Sequence, residues 1–159
     1  MCVVIDINSF HSVFDTSSRD YPEFEPVNRW LYTNPRSKLV YGGKRYRTQL
    51  STLKKYLGYL AELRRQSRIA EIDDDTVDAK ETELEARVRR PDFDDAYIVA
   101  IFAVSGCQVF CSKDKHADKY VKMRTLYPQG QNPPGIYRRR THRHLLCDDN
   151  IVALRNRKR

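Results

Sequence analysis

Cysteine is scarce. The four thiols in 159 residues (Cys2, Cys107, Cys111 and Cys147) show no CxxC spacing and no dense framework. That excludes a disulfide-stapled scaffold and suits a reduced, cytoplasmic compartment. Long apolar runs are also missing. The longest, residues 97–111, is interrupted by Ser105, Gly106 and Gln108 and falls short of the roughly 20 residues that span a bilayer. The apolar start, residues 1–5, stops at Asp6 without a basic flank or a cleavage site, so no secretory leader is expected. There is no internal repeat and no Gly/Ser linker. The GxxxxGK[ST] signature of a nucleotide P-loop is absent. His142 and His144 have no cysteine pair at zinc-ligand spacing.

The chain does have enough material for one packed domain: 40% of its residues are apolar and 31% charged, which argues against wholesale disorder. Lys and Arg outnumber Asp and Glu by 29 to 21, giving a net charge of +8 and favouring polyanionic partners. The charge is uneven. Residues 71–85 are acidic, and the simplest reading of 73–85 is an exposed helix face. Residues 137–159 are basic, through Arg138, Arg139, Arg140, Arg143, Arg155, Arg157, Lys158 and Arg159.

Periodicity alternates between strand and helix. Residues 2–5 are a β-branched apolar run of the kind buried on both faces of a sheet. Residues 9–14 start a helix, and 22–32 form another that ends at Asn34-Pro35. Residues 38–41 read as a second strand closed by Gly42-Gly43. Residues 44–66 read as one long amphipathic helix, 69–72 as a brief strand and 76–88 as a charged helix. Residues 95–104 are apolar nearly all round and predict a buried helix. Residues 107–111 give a further strand, followed by a helix through Val121. Residues 127–136, with three prolines and two glycines, read as a loop before a short C-terminal unit. The alternation predicts an α/β fold with three α/β/α layers around a mostly parallel sheet of four to five short strands.

In such folds ligands bind beyond the carboxyl ends of the strands. Asp6 follows the first strand, Asp114 follows the strand ending at Cys111, and Asp94 and Asp95 open the buried helix. The tight turn at Ser105-Gly106 makes that helix and the following strand antiparallel, which returns Asp95 to the strand end carrying Asp114. Clustered carboxylates repel one another unless a cation neutralises them. A hard divalent ion such as Mg²⁺ is the natural partner, and such an ion can activate water against a phosphodiester.

Three stretches resemble the PIN-domain nucleases. Val3-Val4-Ile5-Asp6-Ile7-Asn8 is similar to their strand-then-DxN opening. Asp94-Asp95-Ala96-Tyr97-Ile98-Val99-Ala100 resembles their acid heading an apolar helix, and Val109-Phe110-Cys111-Ser112-Lys113-Asp114-Lys115 their strand-then-(Thr/Ser)xD motif. The likeness spans residues 2–122. It implies a PIN-like domain over residues 1–126, with residues 127–159 as a basic extension packing on it or trailing from it. It also implies Mg²⁺- or Mn²⁺-dependent cleavage of RNA, with Asp6, Asp95 and Asp114 as catalytic metal ligands. Small toxin-type members bring in an antitoxin or other protein inhibitor, and a homodimer, as partners. In one place the chain departs from the pattern. Where members carry a Glu near the start of the helix after the second strand, this chain has Gln49, an amide oxygen without charge.

Each of these residues also has a plainer role. Asp6 can serve as a strand-end turn residue. Asp94 and Asp95 can cap their helix, with Asp94 as cap and Asp95 as ligand satisfying both roles. Asp114 can cap the helix after it, and Asp118 can be an exposed charge or an assisting acid. Asn8 and Ser112 divide between capping and bonding the first carboxylate, and Gln49 either faces the site or does not. Lys44 and Arg45, after Gly42-Gly43, read first as a strand-to-helix turn and second as a phosphate cradle. Together with Arg138, Arg139 and Arg140 they are the expected nucleic-acid contacts. Cys107 and Cys111 are expected as buried thiols on one strand face.

Two functions follow: a metal-dependent ribonuclease, or, because of Gln49, a PIN-shaped RNA- or protein-binding module that cuts poorly. A haloacid-dehalogenase-like phosphatase also opens with a strand and an Asp. It needs a second acid two residues later, where this chain has Asn8.

Overall fold

The computed structural model describes residues 2–146. The expected basic tail at Arg155, Arg157, Lys158 and Arg159, and Cys147, lie outside the described residues. The architecture is α/β, with three α/β/α layers around a five-stranded parallel sheet. In chain order the main elements are β1 (Cys2–Ile5), α1 (Phe10–Phe14), α2 (Tyr21–Thr33), β2 (Lys38–Gly42), α3 (Lys44–Ser51) and α4 (Leu57–Arg65). These are followed by β3 (Ile69–Ile72), α5 (Asp74–Val88), α6 (Ala96–Ser105), β4 (Val109–Cys111), α7 (Asp118–Val121) and β5 (Gly135–Tyr137).

The strands lie in the order β3-β2-β1-β4-β5. Every residue of β1 is buried, so both of its faces are covered, as its unbroken apolar run requires. The chain steps outward from β1 to β2 and β3, then returns to the other side of β1 for β4 and β5. The direction reverses between β1 and β4, whose register pairs Val4 with Phe110 and Ile5 with Cys111. That reversal opens a crevice at their carboxyl ends.

Helix α6 is buried along nearly its whole length. It ends at Gly106, whose φ of 71° is the left-handed turn that glycine adopts without strain. Tyr46 of α3 is fully buried, and its hydroxyl donates to the Ile5 carbonyl at 2.6 Å. This ties α3 to the end of β1. No helix among the described residues is long and apolar enough to cross a membrane.

The structure departs from the sequence reading in several places. The single helix expected over residues 44–66 is two helices. The Ser51 hydroxyl donates to the Thr48 carbonyl and the Thr52 hydroxyl to the Gln49 carbonyl, both at 2.6 Å, drawing off acceptors that the helix ladder needs. The amides of Thr52 and Leu53 then close tighter turns onto Gln49 and Leu50. β4 begins at Val109, so Cys107 lies before the strand rather than on a shared face with Cys111. Residues 112–117 form a loop, and α7 starts only at Asp118. The segment read as a loop up to residue 136 ends in β5, which pairs with β4. Part of the expected extension is therefore an edge strand of the central sheet, locked on by the Tyr137 hydroxyl donating to the Glu23 carbonyl at 2.8 Å.

The acidic helix α5 is not a free face. It packs against α3 and α6, and its carboxylates take the basic head of α3. The Gly43 amide donates to Asp74 at 2.9 Å and the Lys44 amide to Asp78 at 3.0 Å. The phosphate-cradle reading of Gly42-Gly43 fails because these amides already hold carboxylates.

Candidate functional site

The crevice between β1 and β4 gathers the acids. Asp6 leaves β1 with its amide donating to the Cys111 carbonyl at 2.9 Å. Its carboxylate caps a short turn by accepting the Asn8 amide at 3.3 Å. It is therefore the main chain of Asn8, not its side chain, that bonds the first acid. On β4's side, the Ser112 hydroxyl donates to Asp6 Oδ2 at 2.9 Å and accepts the Asp114 amide at 3.2 Å. One side chain thus couples the two strand-end acids. Asp114 does not cap α7: its Oδ1 accepts the His116 amide at 2.9 Å in a local turn.

At the head of α6 the two aspartates divide differently from expectation. Asp95, not Asp94, occupies the N-cap position, and its side chain makes no capping bond. Its carboxylate is left to the crevice. Asp94 is exposed, and its Oδ1 lies 2.9 Å from His116 Nε2, while Asp95 Oδ2 lies 3.9 Å from the same nitrogen.

The electrostatics match an uncompensated acidic pocket. Burial pushes the Asp95 carboxyl up to about 6, with the Asp94 and Asp6 charges adding to the effect and His116 opposing it. Asp6 is also held above the usual carboxylate range, by burial first and by Asp114, against the hydrogen bonds from Ser112 and Asn8. His116 holds Asp94 below its ordinary value. Tyr97, on the first turn of α6, feels the same field. Burial and the charges of Asp6 and Asp95 push its phenol up to about 12. The Tyr97 hydroxyl donates to Gln49 Oε1 at 3.1 Å, so Gln49 does face the site.

Other expected site residues are turned elsewhere. Asp118 is gripped by Arg138 through two bonds of 3.0 and 2.6 Å, and Arg138 also donates to the carbonyls of Ser112 and Asp114. Arg138 braces the acidic loop rather than standing free for a phosphate. Lys44 pairs with Asp75 and Asp78, Arg45 with Glu81 and Glu85, and Arg140 with Glu25. Arg139 is exposed. Arg45 also lies 4.8 Å over the Tyr97 ring, which sets a guanidinium at the margin of the crevice. A groove of about 570 Å³ opens beside Asp114, lined in part by Asn8, Phe24, Lys113 and Arg138.

Sequence reasoning missed His116, and it took Tyr97 as a contact for a protein partner in the binding-module reading rather than as part of the crevice. The signal for His116 was its place two residues after Asp114 in a strand-end loop, and for Tyr97 its place two residues after Asp95 on the same helix. Among the described residues, one group brings three metal-ligating side chains within 4.8 Å of one another: Asp94, Asp95 and His116. Asp6 and Asp114 stand outside that group and connect to it through the field that Asp6 exerts on Asp95. Asp95, partly buried with a raised pKa and no capping bond, is an oxygen donor of the kind a hard divalent cation takes. The chain matches no family model, no curated protein and no solved structure.

Proposed function

We propose that the crevice is the active site of a divalent-metal-dependent nuclease acting on RNA, the activity implied by the resemblance to PIN-domain enzymes. One observation carries the reading: at the reversal point of a parallel sheet, burial raises the Asp6 and Asp95 carboxyls, with the charge of Asp114 adding to the first and those of Asp94 and Asp6 to the second. Asp95, inside the close three-ligand group, would hold Mg²⁺ or Mn²⁺, with Asp6 and Asp114 approaching the ion from outside that group. When bound, such an ion supplies positive charge to the phosphodiester and acidifies an attacking water.

The chain's own residues have distinct tasks. Ser112 orients Asp6 and opposes the burial that raises its carboxyl. Arg138 fixes the Asp114 loop through its carbonyls. Arg45, at the crevice margin, offers a cation to an incoming phosphate. Its guanidinium is itself partly exposed, and its pair with Glu85 at 4.0 Å is a long surface contact of small worth, so a polyanion can compete for it there. The experiment is cleavage of single-stranded RNA by the full chain in Mn²⁺, compared with Asp6→Asn. The proposal expects cleavage by the wild type and its loss in the variant, and equal cleavage by both counts against it.

Gln49 favours a second reading, a binding module of this shape with weak catalysis. Its amide oxygen adds no charge to the crevice and is taken up by Tyr97. If Gln49→Glu alone confers strong Mn²⁺-dependent cleavage, the binding reading holds for the chain as it stands. A toxin role, with an antitoxin as inhibitor, extends the first reading and requires a cognate partner protein.

A further inference from the structure

The sequence reading expected an all-oxygen donor set, yet the tightest cluster at the rim contains a nitrogen. We infer that His116, together with Asp94 and Asp95, makes this a site for a first-row transition ion such as Mn²⁺ in preference to Mg²⁺. The inference rests on the reading of the crevice as a cation site and specifies which ion it takes.

Three features support it. The ligand atoms come from two elements, the head of α6 and the loop after β4, and lie within 4.8 Å of one another. Ligands on one ion at bond lengths of about 2.1 Å sit roughly 3–4 Å apart, a gap that short side-chain rotations close. The backbone that carries the imidazole is also held: the His116 amide donates to Asp114 Oδ1 at 2.9 Å, a turn made by an expected metal ligand, and from it the ring reaches Asp94. Finally, the ring is open to solvent, with 56% of the His116 side chain exposed, so a hydrated ion can reach it without rearrangement of the core. Without an ion, the ring bonds Asp94 across 2.9 Å. A divalent ion placed between the same atoms replaces that contact with two stronger ones. Imidazole nitrogen suits transition ions, whereas Mg²⁺ favours an oxygen shell with retained water. A histidine in the set therefore discriminates in a way that a fourth carboxylate does not.

The test uses the full chain loaded with Mn²⁺ and pulsed electron paramagnetic resonance, which detects ¹⁴N coupling from a directly bound imidazole. Competition with Mg²⁺ is measured on the same samples. His116→Ala and His116→Gln alter only an exposed side chain, and circular dichroism checks that both remain folded. The expected result is ¹⁴N coupling in the wild type, its loss in both variants, and a drop of about tenfold or more in the preference for Mn²⁺ over Mg²⁺. Mn²⁺ bound without ¹⁴N coupling, or with coupling and preference unchanged in both variants, overturns the inference and leaves the nuclease reading standing. Failure of the wild type to bind Mn²⁺ at all overturns both.

Discussion

The Ser112 hydroxyl donates to Asp6 Oδ2 at 2.9 Å, joining the ends of two adjacent strands across 106 positions of sequence. The bond opposes the burial that drives the Asp6 carboxyl upward. Ser112→Ala is expected to raise the Asp6 pKa further and to lower stability by about 1 kcal/mol, the usual loss for one hydrogen bond. Carboxyl NMR titration and a denaturant midpoint read the two effects. An unmoved Asp6 titration would show that the bond does not set its charge.

Asp95 makes metal-free stability depend on pH. Its folded pKa, about 6, lies above the ordinary aspartate value of 3.8, so between these values the folded state binds more protons than the unfolded chain. Stability is therefore highest below the unfolded pKa and falls as pH rises through the folded one. The loss is on the order of 1–3 kcal/mol. Asp95→Asn should flatten this part of the profile and raise the melting temperature of the metal-free protein near pH 7, while the wild type gains more from Mn²⁺ than the variant does. Parallel melting curves from pH 4 to 7.5, with and without the ion, check both statements.

These residues also show what a sequence can disclose. β1, β2 and the buried α6 were legible because their residues are uniformly apolar and bounded by Asp6, Gly42-Gly43 and Gly106. The acids at strand ends were legible because parallel topology fixes where a strand end lies. The break at Ser51-Thr52 was hidden because Tyr46, Leu50, Leu53 and Leu57 keep helical spacing across it. β5 was hidden because three residues after two prolines carry no period. The pairing of α5 with the head of α3 depends on which helices become neighbours, and so does the approach of His116 to Asp94, 22 positions earlier.

Arg138 offers a test of the brace. Its side chain and that of Asp118 are 16% and 17% exposed, so removing Arg138 leaves the poorly solvated Asp118 carboxylate with only the longer Lys122 contact at 3.7 Å. Arg138→Met is expected to destabilise the fold by about 2–4 kcal/mol. Arg138→Met/Asp118→Leu should recover part of that loss, because the poorly compensated carboxylate is gone. Denaturant unfolding of the single and double variants measures the difference, and equal stability of the two would contradict the brace.

Gly43 holds the turn that delivers α3, and with it Gln49, to the crevice. Its φ is +87°, and a Cβ there would lie 2.7 Å from Val77 Cγ1. Gly43→Ala therefore meets both backbone strain and a clash with α5. A loss of about 1–3 kcal/mol is expected, read as a lowered unfolding midpoint, whereas Gly58→Ala, with open space around its Cβ, should not destabilise.

The most direct measurement is anomalous diffraction from crystals soaked in Mn²⁺. The account expects a peak in the crevice between β1 and β4, within bonding distance of Asp95 and of at least one of Asp6, Asp114 and His116. A fully soaked crystal with no peak there, or with its only peak elsewhere on the surface, would contradict the claim that these acids form a metal site.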